Sequence, residues 1–367
     1  MNIPFVDLKS QYLSIKDQID SAIQSVVSET AFIGGKFVTK FEIEFAQLYG
    51  MKHCISVANG TDSLYIIMKM LGIKNGDEVI TSAYSWISSS ETISQAGAKP
   101  VFVDIHEDYY TIDENQIEKY ITPHTKAIIP VHIHGQVCNM NKIIEIAQKY
   151  NLFIIEDCAQ SHFSEYKGSR AGTMGIASSF SFYPGKNLGA YGDAGCILTN
   201  DDELADKFRM YANHGALKKH QHQIEGINSR MDGLQAAVLS AKLPYIISWT
   251  KERRRCAKTY LQLLNGNKYV KCPTIRENSE HSFHLFLIQV DKREELQFFL
   301  KANGIETVIH YPKALVNLKC YEYLNLNSDN YPKATIIESK ILSLPIYPEL
   351  TDDMIGFIVG KINEFYS

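Results

Sequence analysis

Short apolar runs and amphipathic helical segments alternate over the first two-thirds of this 367-residue chain, and that alternation limits the fold more than any other feature. "CISV" (residues 54–57) is followed by Asn59-Gly60-Thr61 and then by Leu64, Ile67, Met68 and Leu71, the i, i+3, i+4, i+7 spacing of an amphipathic helix. "EVIT" (78–81), a helical "SSSETISQAGA" (88–98), "PVFV" (100–103) and "AIIPV" (127–131) continue the pattern. A helix with Ile143, Ile146, Ala147 and Tyr150 on one face leads into "LFII" (152–155). That unbroken apolar run suits a strand buried on both faces. "ASSFSF" (177–182) and "GCILT" (195–199) add two more runs. The alternation predicts an α/β fold with a mostly parallel sheet covered by helices.

From Met231 the pattern changes. A long helical stretch, broken at Pro244, is followed by the strand pattern "SFHLFLIQV", a helix from Glu294 to Asn303, a strand-like "TVIHY" and a C-terminal helix "DDMIGFIVGKINEFY". We expect a large domain over residues 1–245 and a smaller α+β domain over 246–367. The length suits two domains. A net charge of −4 offers no basic field for nucleic acid or a membrane surface. No apolar run approaches the roughly 20 residues that span a bilayer, and the first residues do not read as a signal peptide. Seven scattered cysteines without a CxxC pair suit reduced thiols in a cytoplasm.

Ligands of open α/β sheets sit beyond the carboxyl ends of the strands, and three segments place polar residues there. Asn59-Gly60-Thr61 opens a helix, whose N-terminus suits a phosphate; a plain helix cap is the competing reading. Glu156 and Asp157 end the "LFII" strand. A carboxylate there either keeps a ring nitrogen protonated or caps a turn. The third is Lys186 in "FSFYPGKNLGAYG", read either as a surface lysine on a turn or as an amine that forms a Schiff base. A phosphate cradle, an acid and an amine are together what pyridoxal phosphate requires, and the set of three favours the chemical reading of each.

These residues bring a family into view. "EDCAQSH", "FSFYPGKNLGAYGDAG" and "GINSRMDGLQAAVLSAKL" resemble, in order and spacing, the sugar aminotransferases of the DegT/DnrJ/EryC1/StrS family, as do "IPFVDLKSQY", "FEIEFAQLYG" and "VANGTDSLYIIMKMLGIKNGDEVI". Beyond residue 250 "IHYP" is the clearest match. The resemblance implies a fold-type I, aspartate-aminotransferase-like protein with a large mixed, mostly parallel sheet. It implies pyridoxal 5'-phosphate as cofactor and Lys186 as the Schiff-base lysine. Asp157 would hold the pyridine nitrogen, Gln160 the phenolic oxygen, and Gly60, Thr61 and Ser181 the phosphate, with Trp86 stacked on the ring. Asn228 would reach the phosphate from the other subunit of a homodimer. Tyr183 stands where members that aminate C4 carry His, which places the chain with the C3 enzymes. That implies L-glutamate as donor, a dTDP-linked 3-keto-6-deoxyhexose as acceptor, and Tyr183, Lys219, His310 and Tyr311 as sugar-nucleotide contacts. The product would be a dTDP-3-amino-3,6-dideoxyhexose of the kind used in lipopolysaccharide O-antigens. A C4 aminotransferase and a pyridoxamine-dependent dehydratase of the same family are the alternatives; dehydratases replace the lysine with His.

The chain departs from the family at His134, Phe163, Ser164, His220 and the segment after "IHYP", positions expected to bear on the sugar. His132, His134 and Cys138 offer too few ligands for a metal site, as do His220 and His222; His132 and His134 are expected on a polar wall of the active site. The charge run Lys251–Cys256 is expected on the solvated face of the long helix.

Overall fold

Each apolar run of the first half becomes a strand of one sheet. The computed structural model of the chain describes residues 1–367. Strands β1 (His53–Val57), β2 (Glu78–Ser82), β3 (Lys99–Val103), β4 (Thr125–Ile129) and β5 (Phe153–Asp157) come first. Two short strands, β6 (Glu165–Tyr166) and β7 (Ser169–Arg170), precede β8 (Ala177–Ser181) and β9 (Gly195–Thr199). The central sheet has the order β1-β9-β8-β5-β4-β2-β3. Strands β3, β2, β4, β5 and β8 are mutually parallel, whereas β9 runs against both β8 and β1. All carboxyl ends except that of β9 therefore reach one edge, where the amino end of β9 joins them.

The double-sided burial of β5 follows from its register. Successive side chains point to opposite faces: Ile154 enters a core with Phe41, Phe45 and Ile143, and Ile155 one with Leu64, Ile67 and Phe208. Each buried isoleucine stabilises by about 1.5–3 kcal/mol, so neither face tolerates a polar side chain. The helix Gly60–Met70 buries Leu64, Ile67 and Met68, as its spacing requires. The Asn59 side chain caps it by accepting the Asp62 N–H.

In the second half the helix Gly233–Lys242 gives way to a 3-10 turn, Leu243–Tyr245, and the helix Ile246–Leu263 follows. Pro244 sits in that turn because it has no N–H for a helical bond. Strands β10 (Val270–Lys271), β11 (Ser279–Glu280), β12 (Phe286–Val290) and β13 (Ile341–Leu344) complete the set. A three-stranded sheet β10-β12-β13 packs with the helices Arg293–Ala302 and Asp352–Tyr366, and β11 pairs with β6. The N-terminus docks beside them: Ile3 N–H donates to Gly304 O at 2.8 Å.

Two expectations fail here. "TVIHY" is not a strand. It makes a single bridge, Val308 to Ser343, then leaves the sheet edge and carries His310 and Tyr311 into the cavity described below. The run Lys251–Cys256 is not a solvated face either. Arg253 is buried, and Arg254 and Arg255 donate to main-chain carbonyls at His281 and Leu350. A guanidinium has five donors and reaches buried carbonyls that charge counting does not reveal.

Candidate active site

The edge where the strands end encloses a cavity of about 570 Å3, within the range of small-molecule sites. Gly60, Thr61, Asp157, Gln160, Ser181 and Lys186 all line it, as do Trp86, Tyr183, His310 and Tyr311. Ten of the twelve residues expected at the site thus converge from five places in the fold. Lys219 and Asn228 do not: both are exposed and outside the cavity of a single chain.

Backbone fit builds the phosphate side. A Cβ on Gly60 would lie 2.8 Å from Cβ of Ser181, and one on Gly195 would strike the Asn59 backbone. The turn is therefore pressed onto the ends of β8 and β9, and glycine is the residue that permits it. The Gly60 and Thr61 amides point out of the helix start without a partner in the chain. Thr61 Oγ1 lies 2.7 Å from Ser88 Oγ.

The end of β5 supplies the acid. Asp157 Oδ2 accepts from Ser89 Oγ at 2.7 Å and Oδ1 from the Ala159 N–H at 3.1 Å. Ser89 Oγ also lies 2.8 Å from Ser85 Oγ. The carboxylate is buried and fixed in one orientation. Gln160 is held on both sides: its Oε1 accepts the His134 N–H at 2.6 Å, and its Nε2 donates to the Tyr311 hydroxyl at 2.7 Å. The Tyr84 hydroxyl donates to Tyr311 O at 2.9 Å. Trp86 stands half in solvent, its ring centroid 5.6 Å from that of Tyr311.

Lys186 sits in the turn after β8, its N–H donating to Tyr183 O at 2.8 Å. Its Nζ makes no hydrogen bond and no ion pair. Burial pulls the ammonium down to about 8, against the attraction of Asp157. Burial, with the positive charge of Lys186 behind it, also pushes His310 down to about 4 and holds His284 well below the usual range. These imidazoles are neutral at pH 7.

His132 and His134 are not on the cavity wall. Both are buried beneath it. His132 Nδ1 accepts the Cys138 N–H at 3.2 Å, which leaves Nε2 to donate to Glu156 at 2.9 Å. Glu156 in turn accepts from the amides of Gly172, Met174 and Gly175. His132, Glu156 and Cys158 come within 4.8 Å of one another, but the imidazole and the carboxylate are spent on these bonds. His134 does reach the site, through its main chain to Gln160. Ser85, Ser89, Asp193 and His284 also line the cavity and were not anticipated. The serines after β2 carried a signal, since polar residues crowd a strand end there. His284 carried none, because the strand pattern of "SFHLF" does not say which face opens on a cavity.

The residues fit pyridoxal phosphate. Free amides at a helix start face where an anion would lie, a glycine cradle excludes any side chain, a fixed carboxylate stands opposite, and one unpartnered amine remains. Gly60, Thr61 and Ser181 would hold the phosphate, Asp157 the ring nitrogen and Gln160 the ring oxygen.

Comparison with known proteins gives the same direction. The model of the DegT/DnrJ/EryC1/StrS aminotransferase family matches residues 13–363. A Geobacillus stearothermophilus protein named "Pleiotropic regulatory protein" is 42% identical over 368 residues, covering 100% of this chain and 99% of its own. The dTDP-3-amino-3,6-dideoxy-alpha-D-galactopyranose transaminase of Aneurinibacillus thermoaerophilus is 42% identical over 363 residues, covering 99% of both. Among solved structures, S. venezuelae DesV, in complex with a ketimine intermediate, aligns with a TM-score of 0.96 at 37% identity, over 99% of this chain and 98% of that one.

Proposed function

The chain belongs to the DegT/DnrJ/EryC1/StrS aminotransferase family and is a pyridoxal-phosphate-dependent sugar aminotransferase; from that premise we propose that it transfers the amino group of L-glutamate to C3 of a dTDP-linked 3-keto-6-deoxyhexose, giving a dTDP-3-amino-3,6-dideoxyhexose and 2-oxoglutarate. Bound cofactor supplies an electron sink for the carbanion at the reacting carbon. The chain's own residues do the rest. Asp157, oriented by Ser89 and the Ala159 amide, keeps the ring nitrogen protonated. Gln160 and Trp86 orient the ring. Lys186 moves the proton at the substrate carbon as general base, a task suited to an amine with a pKa near the working pH.

The observation that carries this reading is the Lys186 amine, unpartnered and with its pKa lowered to about 8 on the same cavity as Asp157 and the Gly60 turn. It also argues against the dehydratase alternative, which lacks the lysine, and against a purely regulatory role. Tyr183 on the cavity wall supports C3, since C4 enzymes of this family carry His there. Tyr183, His310 and Tyr311 would contact the sugar nucleotide. Lys219, a compact cation, would meet the pyrophosphate, and Asn228 would complete the cofactor site of a neighbouring copy. The experiment is steady-state turnover of glutamate with the galacto and gluco epimers of the dTDP-3-keto sugar, beside a UDP-linked counterpart and a 4-keto sugar. Efficient use of one dTDP-3-keto epimer supports the reading, and preference for the 4-keto or the UDP-linked sugar contradicts it.

A further inference from the structure

The buried end of the Lys251–Cys256 run leads to the catalytic lysine. Segment His281–His284 joins β11 to β12, and all four of its carbonyls accept from side chains. Arg254 Nε reaches His281 O at 2.9 Å and Asn187 Nδ2 reaches Ser282 O at 3.1 Å. Arg253 Nη1 is shared between Phe283 O at 3.3 Å and His284 O at 3.4 Å, with a shorter bond to Ile346 O at 2.9 Å. Phe283 has φ +46°, a left-handed conformation that bulky residues keep only where their surroundings enforce it.

Two features say what this arrangement serves. Arg253 is 3% exposed and its hydrogen bonds go to carbonyls alone; Glu349 favours its charge from nearby but is not bonded to it. Burying a cation without a bonded anion is costly, so its contribution lies in what it holds in place. The segment it holds then grips Asn187, the residue next to Lys186. Besides the bond to Ser282 O, Asn187 Oδ1 lies 3.3 Å from His284 Nδ1. His284 and Lys186 face the same cavity.

We propose that His281–His284 is a strut that fixes Lys186 through Asn187, and that Arg253 is the positioning residue that keeps the strut in its left-handed bend. This rests on Lys186 being the amine that carries the chemistry. A lysine at 253 keeps the charge, but its flexible stem does not hold a donor at the point where Arg253 Nη1 meets three carbonyls.

The test uses holoenzyme and L-glutamate alone, followed by single-turnover loss of the cofactor's visible absorbance. Arg253→Lys and Asn187→Ala each slow the half-reaction about tenfold, with glutamate affinity within about twofold, and each shifts the pH midpoint of the absorbance band. In the double variant the slowing stays near tenfold instead of reaching about a hundredfold, because both changes act along one strut. Wild-type rates and midpoints in the single variants, or full additivity in the double, overturn the strut. Asn187→Ala leaves the Arg253 bonds in place and decides alone if Arg253→Lys is insoluble. Lys186→Ala, run alongside, separates the two readings. If it still consumes glutamate, the role of Lys186 itself is overturned; if it is inactive beside wild-type-like strut variants, only the strut falls.

Discussion

At the scale of single residues, the central feature is an amine whose surroundings ease the loss of its proton. Lys186 has its ammonium pulled down to about 8 by burial, with Asp157 opposing. Protonated below that pH and neutral above it, the amine attacks a carbonyl only in its neutral form. Reconstitution of apoenzyme with pyridoxal phosphate is therefore expected to accelerate about tenfold per pH unit up to about 8 and then level off, whereas an ordinary lysine would go on accelerating to about 10.4. Stopped-flow absorbance over pH 6–10 checks this. Asp157→Asn keeps the phosphate cradle and should still bind cofactor, yet lose about 10²–10³-fold in kcat; near-normal kcat would remove Asp157 from its role. Lys186 and Asp157 were legible in the sequence because each stands in a local motif directly after an apolar run. Ser89, which orients Asp157, was not, because the contact spans the sheet edge.

At the scale of elements, the site depends on how a helix start meets strand ends. The turn at Gly60 touches Ser181 so closely that Gly60→Ala forces β8 and the helix Gly60–Met70 apart. We expect about 1–3 kcal/mol of lost stability and cofactor affinity weakened at least tenfold, measured by thermal melting and by equilibrium titration with pyridoxal phosphate. Unchanged affinity would show that this turn does not hold the phosphate. The strands and the main helices were readable because their apolar periodicity is local. Elements that answer to distant partners were not. "TVIHY" has strand composition but only Ser343 to pair with, and Arg253 sits in a run that looks solvated while its three acceptors come from residues 283, 284 and 346. A period along the chain carries no information about such bonds.

At the scale of the whole molecule, one chain encloses the cofactor residues, while Lys219 and Asn228 stay outside the cavity. The proposal that a second copy brings Asn228 has a direct consequence. Mixed Lys186→Ala and Asn228→Ala chains, each impaired alone, should regain about a quarter of wild-type activity after subunit exchange, because half of the assemblies are hybrids with one intact site of two. Activity equal to the mean of the two parents contradicts a shared site. No helix is long and apolar enough to cross a membrane. The sugar is the least legible part of the molecule. Departures such as His134 and Phe163 turned out to lie outside the cavity lining, Phe163 in the core and His134 joined to the site through its N–H to Gln160, and contacts at that distance have no signature in residue order.

The most direct measurement is NMR of the product formed from 15N-labelled L-glutamate and a dTDP-3-keto-6-deoxyhexose. Nitrogen-15 bonded to C3 of the sugar, dependent on Lys186, is the predicted result. Label at any other carbon, or a Lys186→Ala protein that incorporates it as well as wild type, would contradict the account.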